Sequence, residues 1–323
     1  EWIYEKFIIL SIHSLPFNAF FKAKANIKTS ILHLRKKVDM HEPQGHVFMS
    51  ISNNIGHDNA LRDTLNRNNL SDILTIYLEW QRTGNMQVVI KNNQDKNENL
   101  ECPEQIWLVA PEKLVIERFD AFFYSPDLKN IFSTLKHRQK LGDIEIKHGR
   151  NLKIRSKINK NTKQVLVDSK QILKYIEIGD VTRYGLITKY ITGVFEQLPS
   201  RGEYQIRKND LLLAINNSSR GTVVKVPEEF DGAICTSGFL VITPKDENES
   251  DLLWYALRSE YCRWQIYYMA QTASQPELKI DTWKKYFMIP FPKGLQKDKA
   301  IEESKKFNQH LRAILNADQC RLQ

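Results

Sequence analysis

Apolar and polar positions change texture along this chain. Residues 7–13 (FIILSIH) form a short apolar run bounded by Ser-Leu-Pro, the pattern of a buried strand. Residues 29–37 (TSILHLRKK) predict a second strand ending in a basic cluster, and 46–52 (HVFMSIS) a third. Loops at 14–28 and 39–45 would join them in one sheet. With so little helix between them, these strands read as the far end of a larger α/β sheet. Ser71 is placed to cap a helix, with Asp72 in its first turn. Ile73, Leu74, Tyr77 and Leu78 would share its buried face, and Gly84 would close it. The run 91–99 (KNNQDKNEN) has no apolar residue and reads as a linker or exposed loop.

Beyond residue 135 the apolar stretches shorten. Strands are predicted at 175–178, 186–191, 204–206, 211–215, 222–226 and 239–243, separated by turn residues, a β-rich α+β pattern. A helix over 250–260 follows, with Ser250 as its cap, and Pro290 and Pro292 force an extended exit. The last segment, 297–319, is predicted helical. Ala300, Ile301, Ser304, Phe307, Leu311, Ile314 and Leu315 make one stripe at three- and four-residue steps. That stripe calls for a cover, from its own domain or from a partner chain.

A length of 323 residues suggests about two domains. With 41% apolar and 26% charged residues, collagen, a disordered tail and a disulfide mini-protein are excluded. No run free of Asp, Glu, Lys and Arg is longer than that from Phe7 to Phe21, which is shorter than the ~20 apolar residues a membrane span needs. The chain opens on Glu-Trp-Ile without an initiator Met or a signal pattern, as a piece of a longer protein would. Cys102, Cys235, Cys262 and Cys320 have no zinc or redox spacing, which suggests a reducing compartment and hence the cytoplasm.

Charge changes the picture more. The net charge is +9, but residues 1–110 are balanced, with 12 basic and 12 acidic groups. Residues 135–225 carry 19 basic against 8 acidic groups, a local +11. An excess of that size attracts polyanions such as double-stranded DNA. Four polar clusters flank apolar elements in the β-rich part of the chain, 135–296: Thr182-Arg183-Tyr184, Ser200-Arg201, Asn216-Asn217 with Ser219 and Arg220, and Gln271-Thr272 with Ser274 and Gln275. Lys279 follows the last. These residue types read base edges in the major groove.

Other chemistry is weaker. His41 and His46 with Asp39 and Glu42 sit around a Pro-Gly loop, too pliable for a zinc site. Asp127, Glu145 and Lys147 have the loose spacing of a magnesium nuclease, in which carboxylates hold the metal and the lysine helps activate water. No G-x-G-x-x-G or Walker loop is present, and no two prolines are adjacent. The Asn-Pro-Pro-aromatic loop of base amino-methylation is therefore absent, as is the usual means of holding a methyl donor.

The stretch 175–187 (YIEIGDVTRYGLI) resembles the opening of the target-recognition domain of type I restriction–modification specificity subunits. The resemblance continues in order through 198–213, 221–244, 252–260 and 270–292, and the helix at 297–319 resembles the spacer helix that follows such domains. Residues 7–37 and 46–74 resemble the C-terminal part of the N6-adenine DNA methyltransferase domain of the same systems, and 117–128 the lead-in to a recognition domain. The implied fold class is α+β: a partial α/β methyltransferase sheet end, then a β-rich target-recognition domain with a long C-terminal helix. The implied domains are 1–110, a linker at 111–134, the recognition domain at 135–296 and a spacer or dimerisation helix at 297–323. The implied function is sequence-specific DNA binding within an adenine methyltransferase, whose S-adenosylmethionine would be held by upstream residues of the parent. Implied partners are DNA and, through the C-terminal helix, a second copy or the methyltransferase and restriction subunits. The remaining alternatives are the nuclease and a non-catalytic scaffold docking through that helix.

Overall fold

The computed structural model describes residues 2–25, 28–58, 62–87, 105–115, 117–135, 137–143, 147–148, 170–214, 221–269 and 284–321. It is a mixed α+β chain with several small sheets and a long C-terminal helix. It divides into two compact units, Glu1–Asn130 with Tyr268–Pro276, and Ile131–Tyr267 with Glu277–Gln323. Among the described residues, no helix is long and apolar enough to cross a membrane.

The three strands expected near the start form. They are β1 (Phe7–Ser14), β2 (Ser30–Lys36) and β3 (Val47–Ile51). A short hairpin, β4 (Ile55–His57) and β5 (Asp63–Asn68), follows, then β6 (Ile106–Val109). The sheet order is β2-β1-β3-β6, with β1 and β3 parallel and the other pairs antiparallel. Every residue of β3 is buried, because both faces of the sheet are covered. Phe48 points to helix α2 (Leu70–Thr83), where it meets Ile73, Ile76 and Tyr77. Val47 and Met49 point the other way, towards Ala121 and Phe122. The short helix α1 (Trp2–Lys6) precedes β1.

Helix α2 corrects two expectations. Asn69, not Ser71, is its N-cap residue, because the Asn69 carbonyl accepts the Ile73 N–H at 3.0 Å and Ser71 already lies in the first turn. Its inward face is Ile73, Ile76 and Tyr77, leaving Leu74 and Leu78 55% and 57% exposed. Gly84 does close the helix in the left-handed conformation. The stretch 111–134, expected as a linker, is packed. Buried Arg118 and Asp120 pair at 2.9 Å, Tyr124 Oη donates to the Arg118 carbonyl, and α3 (Pro126–Thr134) follows. The polar run 91–99 lies outside the described residues.

The second unit is β-rich. Its first sheet runs β10 (Ile191–Val194), β9 (Ile172–Ile176), β14 (Ile234–Thr236), β11 (Gly202–Gln205). Its second runs β13 (Val223–Lys225), β12 (Leu211–Ala214), β15 (Phe239–Thr243), β8 (Lys147–His148). A two-stranded pair joins β7 (Arg138–Lys140) to β16 (Met288–Pro290), the extended exit expected before Pro292. Ile176, Leu212, Val224, Cys235, Phe239 and Val241 share one core. At ~1.5–3 kcal/mol for each buried aliphatic or aromatic side chain, that core is the main source of the unit's stability.

Three expectations shift here. The first strand ends at Ile176, because Asp180 Oδ2 accepts the Glu177 N–H at 2.8 Å and turns the chain. Of 186–191, only Ile187 makes a bridge, to Val181, before β10 begins at Ile191. The helix expected from Ser250 is α4 (Glu247–Leu257), capped by Asp246, whose carboxylate accepts the Glu249 N–H at 2.8 Å. Ser250 is inside it and donates to the Asn209 carbonyl at 2.7 Å. Helix α5 (Glu260–Met269) follows after a break at Arg258-Ser259.

Helix α6 (Leu295–Arg321) packs on α4 within its own unit. Ala300, Ser304 and Leu311 are buried there, and the Phe307 ring lies 5.9 Å from that of Trp254. The expected stripe is thus covered along one edge only, and Ile314 stays 58% exposed.

Candidate nucleic-acid interface

Thr182-Arg183-Tyr184 stands on a tight turn. Thr182 N–H donates to the Leu186 carbonyl at 2.8 Å, Gly185 N–H to the Thr182 carbonyl at 2.9 Å, and Leu186 N–H to Thr182 Oγ1 at 3.2 Å. The Val181–Ile187 bridge closes the base of the loop. Gly185 has φ +86°, and a Cβ there would stand 2.2 Å from the Val223 carbonyl oxygen. Only glycine lets the turn lie this close to β13. Thr182 therefore closes the turn, while Arg183 and Tyr184 project from it. The Arg183 guanidinium lies 4.7 Å from the Tyr184 ring centroid and donates to its hydroxyl.

Arg183 and Tyr184 line a groove of about 800 Å³ whose other walls come from Gly221 and Thr222, α4, the α5 N-terminus and α6. Trp254 forms the floor, its indole N–H donating to the Val223 carbonyl at 2.9 Å. The Arg258 guanidinium lies over two neighbouring rings, 4.3 Å from Trp254 and 4.4 Å from Phe307. Burial, together with the Arg263 charge, draws Arg258 down to about 10. Arg263 also lines the groove, close to Gly221, where a Cβ would stand 2.8 Å from its Cγ. Glu303 is the one carboxylate among the lining residues, and among the described residues none of the three arginines has an ion-pair partner. Ser304 lines the groove at 1% exposure with its hydroxyl unpartnered.

The other sequence candidates separate. Ser200 and Arg201 are exposed on the turn that enters β11, where the Arg201 carbonyl accepts the Ser237 N–H at 3.0 Å, and neither lines the groove. Asn216, Asn217, Ser219, Arg220, Gln271, Thr272, Ser274, Gln275 and Lys279 lie outside the described residues, as does Glu145 of the nuclease alternative. Asp127 Oδ2 accepts the Tyr268 hydroxyl at 2.8 Å. Among the described residues no group of three His, Cys, Asp or Glu is placed to hold a metal.

Three lysines of the basic stretch 135–225 are engaged within the fold. Lys225 is buried and pairs with Asp251 at 2.7 Å, because β13 runs beneath α4. Lys208 pairs with Glu228 at 2.8 Å, and Lys174 donates to the Glu229 carbonyl at 2.6 Å while lying over Tyr190 and Phe230. Arg258 and Arg263, beyond that stretch, went unnoticed in the sequence. The one local sign was the i,i+4 spacing of Trp254 and Arg258 on a helix.

The first unit has its own apolar pocket of about 450 Å³ between β1–β3 and α2. His13 sits at its floor, hydrogen-bonded to Ser11 Oγ at 2.7 Å and Ser50 Oγ at 2.8 Å, and His33 Nδ1 meets the Tyr77 hydroxyl at 2.7 Å. Burial, then the His33 charge, lowers His13 to about 4. No Asp or Glu is among the residues that line this pocket.

No protein-family model and no curated protein matches the chain. Solved structures do. A type I R-M system, solved for its complex assembly and conformational transition, shares 23% identity over 58% of this chain and 47% of its own, with a TM-score of 0.40. The HsdS subunit from Thermoanaerobacter tengcongensis shares 20% over 55% of this chain and 43% of its own, TM-score 0.39. The structural neighbours include S subunits of type I restriction–modification systems. The type IIG restriction endonuclease BpuSI aligns over 94% of this chain and 39% of its own at 12% identity, TM-score 0.40. The chain spans less than half the length of each of these proteins.

Proposed function

We propose that this chain is the DNA-reading portion of a restriction–modification N6-adenine methyltransferase, and that its second unit binds double-stranded DNA sequence-specifically. The observation that carries this is the convergence of Arg183, Arg258 and Arg263 on one aromatic-lined groove, with no ion pair among the described residues. Three guanidinium groups beside a single carboxylate, Glu303, favour a polyanion, and the phosphate backbone supplies one. Arg258, at the break between α4 and α5, and Arg263, on α5, fix register on phosphates, while Arg183, at a turn tip, is placed to reach a base edge. The ordered sequence blocks at 175–187, 198–213 and 221–244 support a target-recognition domain. In this reading the first unit is the C-terminal part of the methyltransferase domain, and the parent supplies S-adenosylmethionine and the base-flipping residues in the cytoplasm. The exposed Ile314 and its neighbours on α6 would meet a second copy or another subunit of the system.

The test is duplex binding measured across salt concentrations. With about 5 phosphates neutralised, log affinity falls with log salt at a slope of about −4 to −5. Arg258→Ala and Arg263→Ala each reduce that slope by about 1. A slope near zero in the wild type overturns the proposal.

A further inference from the structure

The groove has a shape that an intact duplex does not fill. A duplex is convex, carries its phosphates outside and stacks its bases inside, so its π-faces are covered. This groove is concave, encloses about 800 Å³ and is lined by aromatic faces beside its arginines. That volume is in the range of sites that enclose most of a small ligand. Tyr184 and Tyr255 stand on its walls, 45% and 43% exposed. The Arg258 guanidinium lies over both Trp254 and Phe307, which holds it at the groove. The unpartnered Ser304 hydroxyl is an independent sign that the lining lacks a polar partner.

We infer that the groove takes one unstacked nucleotide of the bound DNA, with its base against Tyr184 and Tyr255 and its phosphate on Arg258 and Arg263. This rests on the DNA-binding reading above and adds to it: the strand is opened locally at this unit. Stacking on an aromatic side chain tolerates any base, because every base has a π-face. The groove therefore anchors the DNA, while base choice stays with the turn bearing Arg183.

The experiment uses the full chain at low salt with three fluorescent probes of the same sequence: an intact duplex, that duplex with a single bulged 2-aminopurine, and the single strand. The bulged duplex is expected to bind at least about 5-fold tighter than the intact one, with a change in 2-aminopurine emission. Tyr255→Ala and Tyr184→Ala should each remove about 5- to 150-fold of binding to the bulged probe. Both should keep the wild-type urea-unfolding midpoint, which shows that the variants fold, and both should lose more affinity for the bulged probe than for the intact duplex. Equal binding of bulged and intact duplexes, or a preference that survives both substitutions, overturns the inference. If the intact duplex still binds with a steep salt dependence, the DNA-binding reading stands without it. If none of the three probes binds, both fall.

Discussion

Gly185→Ala links backbone geometry to the groove. At φ +86° a non-glycine residue costs about 1–2 kcal/mol in the left-handed region. The added methyl would also stand 2.2 Å from the Val223 carbonyl oxygen, a backbone atom held in β13 and unable to swing aside as a side chain would. That oxygen accepts the buried Trp254 indole N–H at 2.9 Å. Pushing it away leaves a buried donor unsatisfied, which costs a further 1–3 kcal/mol or so. Together the substitution should destabilise the second unit by about 2–5 kcal/mol, or open the turn and displace Arg183 and Tyr184. Urea unfolding followed by tryptophan fluorescence reads the first outcome, and duplex affinity reads the second. Gly179→Ala is the control, since no atom lies within 4 Å of its Cβ position and its φ is ordinary. A Gly185→Ala protein with stability within 0.5 kcal/mol or so of the control, and with unchanged DNA affinity, refutes the reasoning.

Two further outcomes follow from buried groups. Lys225→Met leaves Asp251 buried without its cation and should cost about 3–5 kcal/mol in urea unfolding, whereas Lys225→Met with Asp251→Leu should be close to neutral; equal losses in the single and double variants would show that the pair is not the cause. His13 is held neutral in the fold, with a value of about 4 against an ordinary 6.5, so below pH 6.5 the unfolded chain binds the extra proton first. The first unit's stability is therefore complete above pH 6.5 and declines by up to about 3 kcal/mol as pH falls towards 4. Unfolding measured across that range in wild type and His13→Gln checks it, the variant being expected to show a flatter profile.

Much of the fold was legible because strands buried on both faces announce themselves. FIILSIH, HVFMS and LLLA are continuous apolar runs too short for helices, and each forms a strand. Element ends were less legible, since single hydrogen bonds decide them, from the backbone at Asn69 and from the side chain at Asp246. Ser71 and Ser250 have the right chemistry for caps, but Asn69 and Asp246 come earlier in the chain and take the role. The C-terminal stripe was visible as a period, yet the period does not say how wide a face the neighbouring helix covers. Leu311 and Ile314 share the stripe, and only the first is buried. At the groove, Arg183 and Tyr184 could be read from turn chemistry. Arg258, Arg263 and Phe307 could not, because they meet only when α4, α5 and α6 pack together. The local charge excess likewise counted Lys174, Lys208 and Lys225, which the fold engages internally.

Selection from a randomised duplex library tests the central claim most directly. The full chain should enrich one defined sequence over the rest of the pool. Arg183→Ala should relax the preference at one base position at a cost of about 1–3 kcal/mol on the enriched site, while Arg258→Ala should weaken all sequences about equally. A wild-type chain that binds the library but enriches no sequence would contradict the account.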